Sequence, residues 1–595
     1  MKLFATRHIS SIGYLILLTL LTHWPASGQV TLIGDLCPGI QSSLSNFDNA
    51  VMVEDYLYFA ADDCVNGEEL WRTDGTPGGT EMVADIYEGS RSSKPRSITN
   101  IDGILFFSAN DGKYGKELWT FDPGSGKAEI VTDIYNGSIG SSPSRLIQFQ
   151  DVLFFFAWSP SFGSELWRSD GTEQGTVMVK DIRPGPYSTG DFEMIVVNDL
   201  LFFWGSDGVH GGELWRSDGT ENGTEMVRDI RPGSQGSIDS GPLFVTYGIP
   251  ISEAYKFTKV KDKVFFFAND GTSGAELWTS DGTKAGTFLV KDINPGFAGS
   301  YPTHLVYTGD HLLFAATDAT TGRELWMINA DSFDETLFDI NPGTPDSSPL
   351  QITHVKDGLV FFSADDGTNG RELWAINGKD DPVLVDDINR GGADSSPNSF
   401  FYDYRPNNSS NEGMLLFTAN NGLSGFELWA SNLNPPFETE MVHEFTAGNV
   451  GGSSMQFAKV GSHLVFAHFL GGYGRELWRL DVGNPGNPFI RYNDEDIERD
   501  IASPDEVPTA FTLSQNYPNP FNPSTVIHFT LPEAAHVRLS VYDMLGREVH
   551  TLVDGNLSAG QHQAMLRADD LPSGTYLYRM ETVGFTSTRL MHLTK

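Results

Sequence analysis

Glu165-Leu166-Trp167-Arg168-Ser169-Asp170-Gly171-Thr172 decides the fold, because close copies of this stretch punctuate the chain nine times. The tryptophans of the copies are Trp71, Trp119, Trp167, Trp215, Trp278, Trp326, Trp374, Trp429 and Trp478. They step by 48 residues except at 215→278 (63), 374→429 (55) and 429→478 (49). A period of that size with strand-like text inside it is the sequence signature of propeller blades. The expected fold is therefore all-β, a β-propeller of about nine four-stranded blades.

Residues 96 to 134 show one unit clearly. Arg96 to Ile101 reads as a first strand, Gly103 to Ala109 as a second, Lys116 to Phe121 as a third and Ala128 to Ile134 as a fourth, with turn residues between them. The second strand recurs as Leu105-Phe106-Phe107, Leu201-Phe202-Phe203 and Val264-Phe265-Phe266. A continuous apolar run implies a strand covered on both faces, as in a blade held between two neighbours. The tryptophans lie on a sandwiched strand and are expected to pack blade against blade. The glutamate two residues earlier (Glu117, Glu372) is expected to brace backbone N–H groups, since an unpaired buried carboxylate is too costly.

The turns carry Asn110-Asp111-Gly112, Ser206-Asp207-Gly208 and the Asp-Gly-Thr copies at Asp74, Asp170, Asp218 and Asp281. Asp in such turns accepts from its own backbone. No cofactor is expected; calcium on these aspartates is the alternative, because its preference is for hard oxygen ligands. No metal ligands are assigned.

Each fourth strand is expected to end in Asp-Ile, as at Asp133-Ile134 and Asp181-Ile182, and the chain opens with similar text, Thr31-Leu32-Ile33-Gly34-Asp35-Leu36. This predicts that the amino-terminal strand completes the last blade, so that the ring closes and leaves no free edge. The competing closure uses Phe489 to Ile497. The only cysteines, Cys37 and Cys64, fall in loops on one face of that arrangement, and a Cys37–Cys64 disulfide would pin the closing strand.

Lys2 and Arg7 ahead of the apolar run Ile12 to Leu21, then Ala26-Ser27-Gly28, read as a signal peptide over 1–28, with no membrane-spanning segment in the mature chain. The propeller is assigned to 29–480, an acidic Pro/Gly linker to 481–510 and a small Ig-like β-sandwich to 511–595. The formal charge of −39 repels phosphate and argues against a nucleic-acid partner.

The tail text Tyr517-Pro518-Asn519-Pro520-Phe521-Asn522-Pro523, with Gly546, Gly574 and the terminal Lys595, resembles the type A carboxy-terminal sorting domain of the type IX secretion system. The resemblance implies export across both membranes to the cell surface or beyond, with the secretion machinery as partner. The repeats resemble the ELWxxDGT family, which implies no established activity. Ser363-Ala364-Asp365-Asp366-Gly367 through Trp374 is also similar to the tryptophan-docking repeat of quinoprotein dehydrogenases, although no two cysteines here are adjacent. No catalytic residue is assigned, since nearly every conspicuous side chain recurs and catalysis uses residues that occur once. The expected function is non-catalytic binding of a glycan, a protein or a surface. The alternative is a propeller enzyme, quinone-dependent or hydrolytic.

Overall fold

The structure is a computed structural model that describes residues 30–38, 41–45, 47, 49–190, 192–238, 256–403, 413–443, 445, 455–470, 474–481, 511–513, 524–544, 547–557, 559–568 and 571–593. The chain divides into two compact units, Met1–Ile490 and Arg491–Lys595.

The first unit contains nine four-stranded antiparallel sheets. Blade 2 is representative, with strands Arg96–Ile101, Ile104–Asn110, Lys116–Asp122 and Lys127–Thr132 paired in chain order. One expectation needs correction: the Asp-Ile pair is not the end of the fourth strand but lies just past it. In blade 2 the strand stops at Thr132, because the Ile134 N–H donates to the Glu117 carboxylate instead of to the ladder.

Blade packing follows from the apolar second strand. Leu105 and Phe107 cluster with Val53, Tyr58 and Leu70 of blade 1, whereas Phe106, between them, clusters with Leu153 and Phe155 of blade 3. Alternate side chains thus feed two interfaces, the consequence of a period of two on a strand with neighbours on both sides. Nine such clusters join each blade to the next. The ninth sets Trp71, Leu57 and Phe59 of blade 1 against Val465, Ala467 and Leu477 of blade 9, so the ring is closed.

Each cluster includes the repeat tryptophan of its later blade. Seven are buried; Trp167 and Trp429 are partly exposed and pack against their clusters from the edge. A ring of this size removes ~150–250 Å² from water. The first strands of successive blades run side by side, which places them innermost, around the channel.

The closing strand is Val30–Gly34. It pairs antiparallel with Gly474–Asp481, matching Val30 to Leu480, Thr31 to Arg479 and Leu32 to Trp478. The edge that residues 489–497 would have taken is filled by the amino-terminal strand; those residues, like 1–29, lie outside the described chain. A disulfide joins Cys37, just beyond the closing strand, to Cys64 in the turn between the second and third strands of blade 1, with the Cα atoms 5.1 Å apart.

The second unit holds a three-stranded sheet (Thr512–Leu513, Ser524–Leu531, Gly560–Arg567) and a four-stranded sheet (Ala535–Asp543, Glu548–Leu557, Gly574–Thr582, Phe585–Leu593). Their inner faces share a core that includes Ile527, Phe529, Val537, Leu539, Val541, Tyr578 and Met580. Gly574 opens a strand of the larger sheet. Tyr517, Pro518, Asn519, Pro520, Phe521, Asn522, Pro523, Gly546 and Lys595 lie outside the described residues.

The disulfide spans 27 residues of sequence, so replacing both cysteines by serine is expected to cost about 3 kcal/mol of stability. Chemical denaturation checks this, and an unchanged midpoint would show that the bond does not tension the closure.

Candidate functional site at one face of the ring

Within a blade, two kinds of connection emerge on the same face: the turn from second to third strand, and the loop from fourth strand to the next blade's first strand. Both are fixed in place by side chains that recur.

The loop is held by the glutamate of the third strand. Glu117 is fully buried and accepts from the N–H groups of Ile134 (3.3 Å), Tyr135 (3.1 Å) and Ser141 (2.8 Å), and from the Ser141 hydroxyl. Glu372 takes Ile388 and Ser395, each N–H at 3.0 Å, and Glu69 takes Ile86 at 2.9 Å and Ser93 at 2.8 Å. The clasp also spans the closure: Glu476 accepts from Leu36 N–H at 3.1 Å and from Ser43 N–H at 2.9 Å. One carboxylate thereby supplies acceptors for three or four buried donors that a loop crossing the blade could not otherwise satisfy. All nine glutamates of the series are buried, which makes them structural clamps.

The turn is held by its own aspartate. Asp111 Oδ1 accepts from the N–H groups of Lys113 and Tyr114, both at 2.9 Å, and Asp366 Oδ1 accepts from Thr368 (2.9 Å) and Asn369 (2.8 Å). These carboxylates are engaged with their own backbone. Among the described residues no group of three or more His, Cys, Asp or Glu side chains is arranged to hold a metal ion.

Turn and loop touch at a glycine. Gly115 has φ +75°, and a Cβ on it would stand 2.4 Å from Gly140 N and 2.5 Å from the Ile139 carbonyl carbon. The same fit puts the Tyr187 backbone against Gly163. Each blade whose loop is described therefore presents a turn tip and a loop tip side by side on a fixed frame.

Those tips carry large apolar groups. Val65, Phe162, Val209 and Leu423 sit on second-to-third turns, Phe469 lies at the end of a second strand, and Ile139, Tyr187 and Phe297 sit on fourth-to-first loops. Phe297 is 82% exposed and Leu423 79%. The other exposed large apolar residues described in the propeller, Val177 and Val383, are the first residues of fourth strands, at the end that meets the third-to-fourth turns. Isolated surface apolar groups are ordinary; eight of the ten described in the propeller lie on this one face.

The first strands enter the channel from this face, and five of the nine begin irregularly. Ser97, Arg145, His304, Gln351 and Ser399 occupy left-handed backbone (φ 54°, 54°, 55°, 55° and 58°), each at a register break with the second strand. A bulge re-aims the extra residue's side chain, and non-glycine residues held in this region are strained. Sequence reasoning missed these positions, because no glycine or asparagine marks them. It also missed the serine partner of the clasp, whose signal was present as a Ser or Thr recurring 23 or 24 residues after the glutamate: Ser93, Ser141, Thr189, Ser237, Ser300, Ser347 and Ser395.

Two known families match separate parts of the chain. Residues 515–591 match the family described as a secretion system C-terminal sorting domain, which indicates delivery to the cell surface or the extracellular space. Residues 266–384, within the propeller, match the family described as outer membrane protein assembly factor BamB. No curated protein matches.

Among solved structures, PorZ, a surface component of the type IX secretion system of Porphyromonas gingivalis, is similar at 12% identity. The alignment covers 93% of this chain and 75% of that one, with a TM-score of 0.24. The extracellular domain of a hybrid two-component system from B. thetaiotaomicron is similar at 11% identity over 91% and 79% of the two chains, TM-score 0.24. A prolyl endopeptidase is similar at 10% identity, TM-score 0.35, over 62% of this chain, which spans 54% of that one. No helix among the described residues is long and apolar enough to cross a membrane.

The clasps carry a pH signature. Burial pushes the carboxyls of Glu117, Glu165, Glu213, Glu276, Glu324, Glu372 and Glu476 up to about 7 from an ordinary value of 4.5, against the pull of their hydrogen bonds. Between those values the folded chain keeps protons that the unfolded chain has released, so stability falls as pH rises through the window. Hydrogen bonds from Thr172 and Thr220 hold Asp170 and Asp218 below 3.8, and that contribution is lost only at lower pH. Thermal unfolding is therefore expected at a higher temperature at pH 5.5 than at pH 7.5; the reverse order would show the clasps to be ionised throughout.

Proposed function

We propose that the chain is a secreted or cell-surface, non-catalytic β-propeller that recognises an extracellular glycan, protein or surface through the face built from its second-to-third turns and fourth-to-first loops. The observation that carries this reading is the gathering of exposed Val65, Ile139, Phe162, Tyr187, Val209, Phe297, Leu423 and Phe469 on that face. Exposed apolar side chains of this size cost solubility unless something covers them. Export by the type IX system, directed by the tail, brings that face to the place where such a ligand is met. A signal peptide over residues 1–28 and ELWxxDGT repeats as the blade-forming unit belong to the same reading.

Two experiments test it. Truncation before Phe511 is expected to leave the protein in the periplasm; unchanged export would overturn the role of the tail. Purified mature protein added back to producing cells is expected to bind their surface, and Ile139→Asp, Tyr187→Asp and Phe297→Asp together are expected to reduce binding at least about tenfold, equivalent to ~1.4 kcal/mol. Equal loss from charge substitutions on the opposite face, or no loss from the triple variant, would contradict the assignment of the face.

A further inference from the structure

Two cavities open among the innermost strands, at the channel end where the strand bulges lie. The larger, about 480 Å³, is bounded by the first strands of blades 2 to 4 with Asn49 of blade 1. Its polar lining is Ser97, Thr99, Ser144, Asn49, Arg145 and Glu193. Its only charged groups, Arg145 and Glu193, offset each other across 3.4 Å. The smaller, about 320 Å³, lies between blades 7, 8, 9 and 1 and is lined by Phe400, Phe401, Phe457, Gln351, Gln456 and Ser399 among its ten residues, none of them charged. Phe47 and Ala50 wall the second cavity and Asn49 the first, so one short segment of blade 1 borders both.

Four of the five strained bulge residues line these cavities: Ser97 and Arg145 the larger, Gln351 and Ser399 the smaller. The irregularity that departs from the regular blade thus delivers polar side chains to two lined spaces around one channel mouth.

The chemistry of the lining selects a ligand. A chain with a formal charge of −39 presents two sites with no net charge. The smaller combines partly exposed phenyl rings with amides and a hydroxyl, and the larger is rich in hydroxyl and amide groups. A pyranose ring offers the matching pair of properties: an apolar C–H face for the rings and a rim of hydroxyls that both donate and accept.

We propose that the channel mouth binds a neutral oligosaccharide, with one sugar against Phe400, Phe401 and Phe457 under the amides of Gln351 and Gln456, and further sugars extending toward Ser97, Thr99 and Ser144. This rests on the reading of the loop face as the recognition face and adds the ligand class.

The test is isothermal titration of the full mature chain with the neutral hexasaccharides of glucose (β-1,4, β-1,3 and α-1,4 linked) and of mannose, alongside hexagalacturonate and a blocked hexapeptide carrying two phenylalanines. At least one neutral hexasaccharide is expected to bind with a Kd of about 1 mM or tighter. Gln351→Gly, which keeps the left-handed backbone, combined with Gln456→Ala, which also releases the Arg475 guanidinium from the Gln456 amide oxygen, is expected to weaken binding about tenfold. The circular dichroism spectrum should be unchanged. A wild-type chain that binds cells but no neutral hexasaccharide would overturn this ligand class alone, and a chain that binds neither would overturn the recognition face as well.

Absence of neutral-sugar binding, binding indifferent to the double substitution, or tighter binding of hexagalacturonate would each overturn the proposal. Preference for the peptide would do the same and would assign the mouth to a polypeptide.

Discussion

The buried glutamate of each third strand is the constraint on which the rest of the molecule depends. A loop that crosses from the outer edge of one blade to the inner edge of the next leaves buried backbone donors outside the strand ladder. The carboxylate meets that need in one stroke, taking Ile134, Tyr135 and Ser141 in blade 2 and the equivalent groups elsewhere. Removing an acceptor of this kind leaves several buried donors unsatisfied at once, each worth ~1–3 kcal/mol. Because the clasp fixes the loop, it also fixes the start of the next innermost strand, and with it the bulges at the channel mouth.

Closure uses the same device. Glu476 near the end of the propeller clasps Leu36 and Ser43 near its beginning, and the pairing of Val30–Gly34 with Gly474–Asp481 continues the blade as though the chain had never been cut. The Cys37–Cys64 bond ties the loop that follows the closing strand to blade 1, beside that seam.

Much of this was legible in the sequence, and for a physical reason. Residues that satisfy a constraint repeated in every blade must themselves repeat, so Trp119, Glu117 and the Asp111 turn announced their roles through recurrence. The closing strand was legible because Thr31 to Leu36 copies a fourth strand that the last blade lacks. The placement of Asp133-Ile134 was read one step too far inward, since strand text alone does not reveal that the Ile134 N–H leaves the ladder for Glu117.

The candidate site was far less legible, and for the converse reason. Tip residues such as Val65, Lys113, Val209 and Leu423 vary because the frame does not constrain them. The left-handed backbone of Arg145 or Gln351 is imposed by packing rather than by the residue's own preference.

The clasped, self-closing ring is tested most directly by hydrogen exchange of the mature chain read by mass spectrometry. The amides of Val30–Gly34 are predicted to exchange as slowly as those of the fourth strand of blade 2, Lys127–Thr132, and Glu476→Ala should speed the former while leaving the latter unchanged. Exchange of Val30–Gly34 at the rate of an unstructured terminus, or insensitivity of that strand to loss of Glu476, would contradict the account.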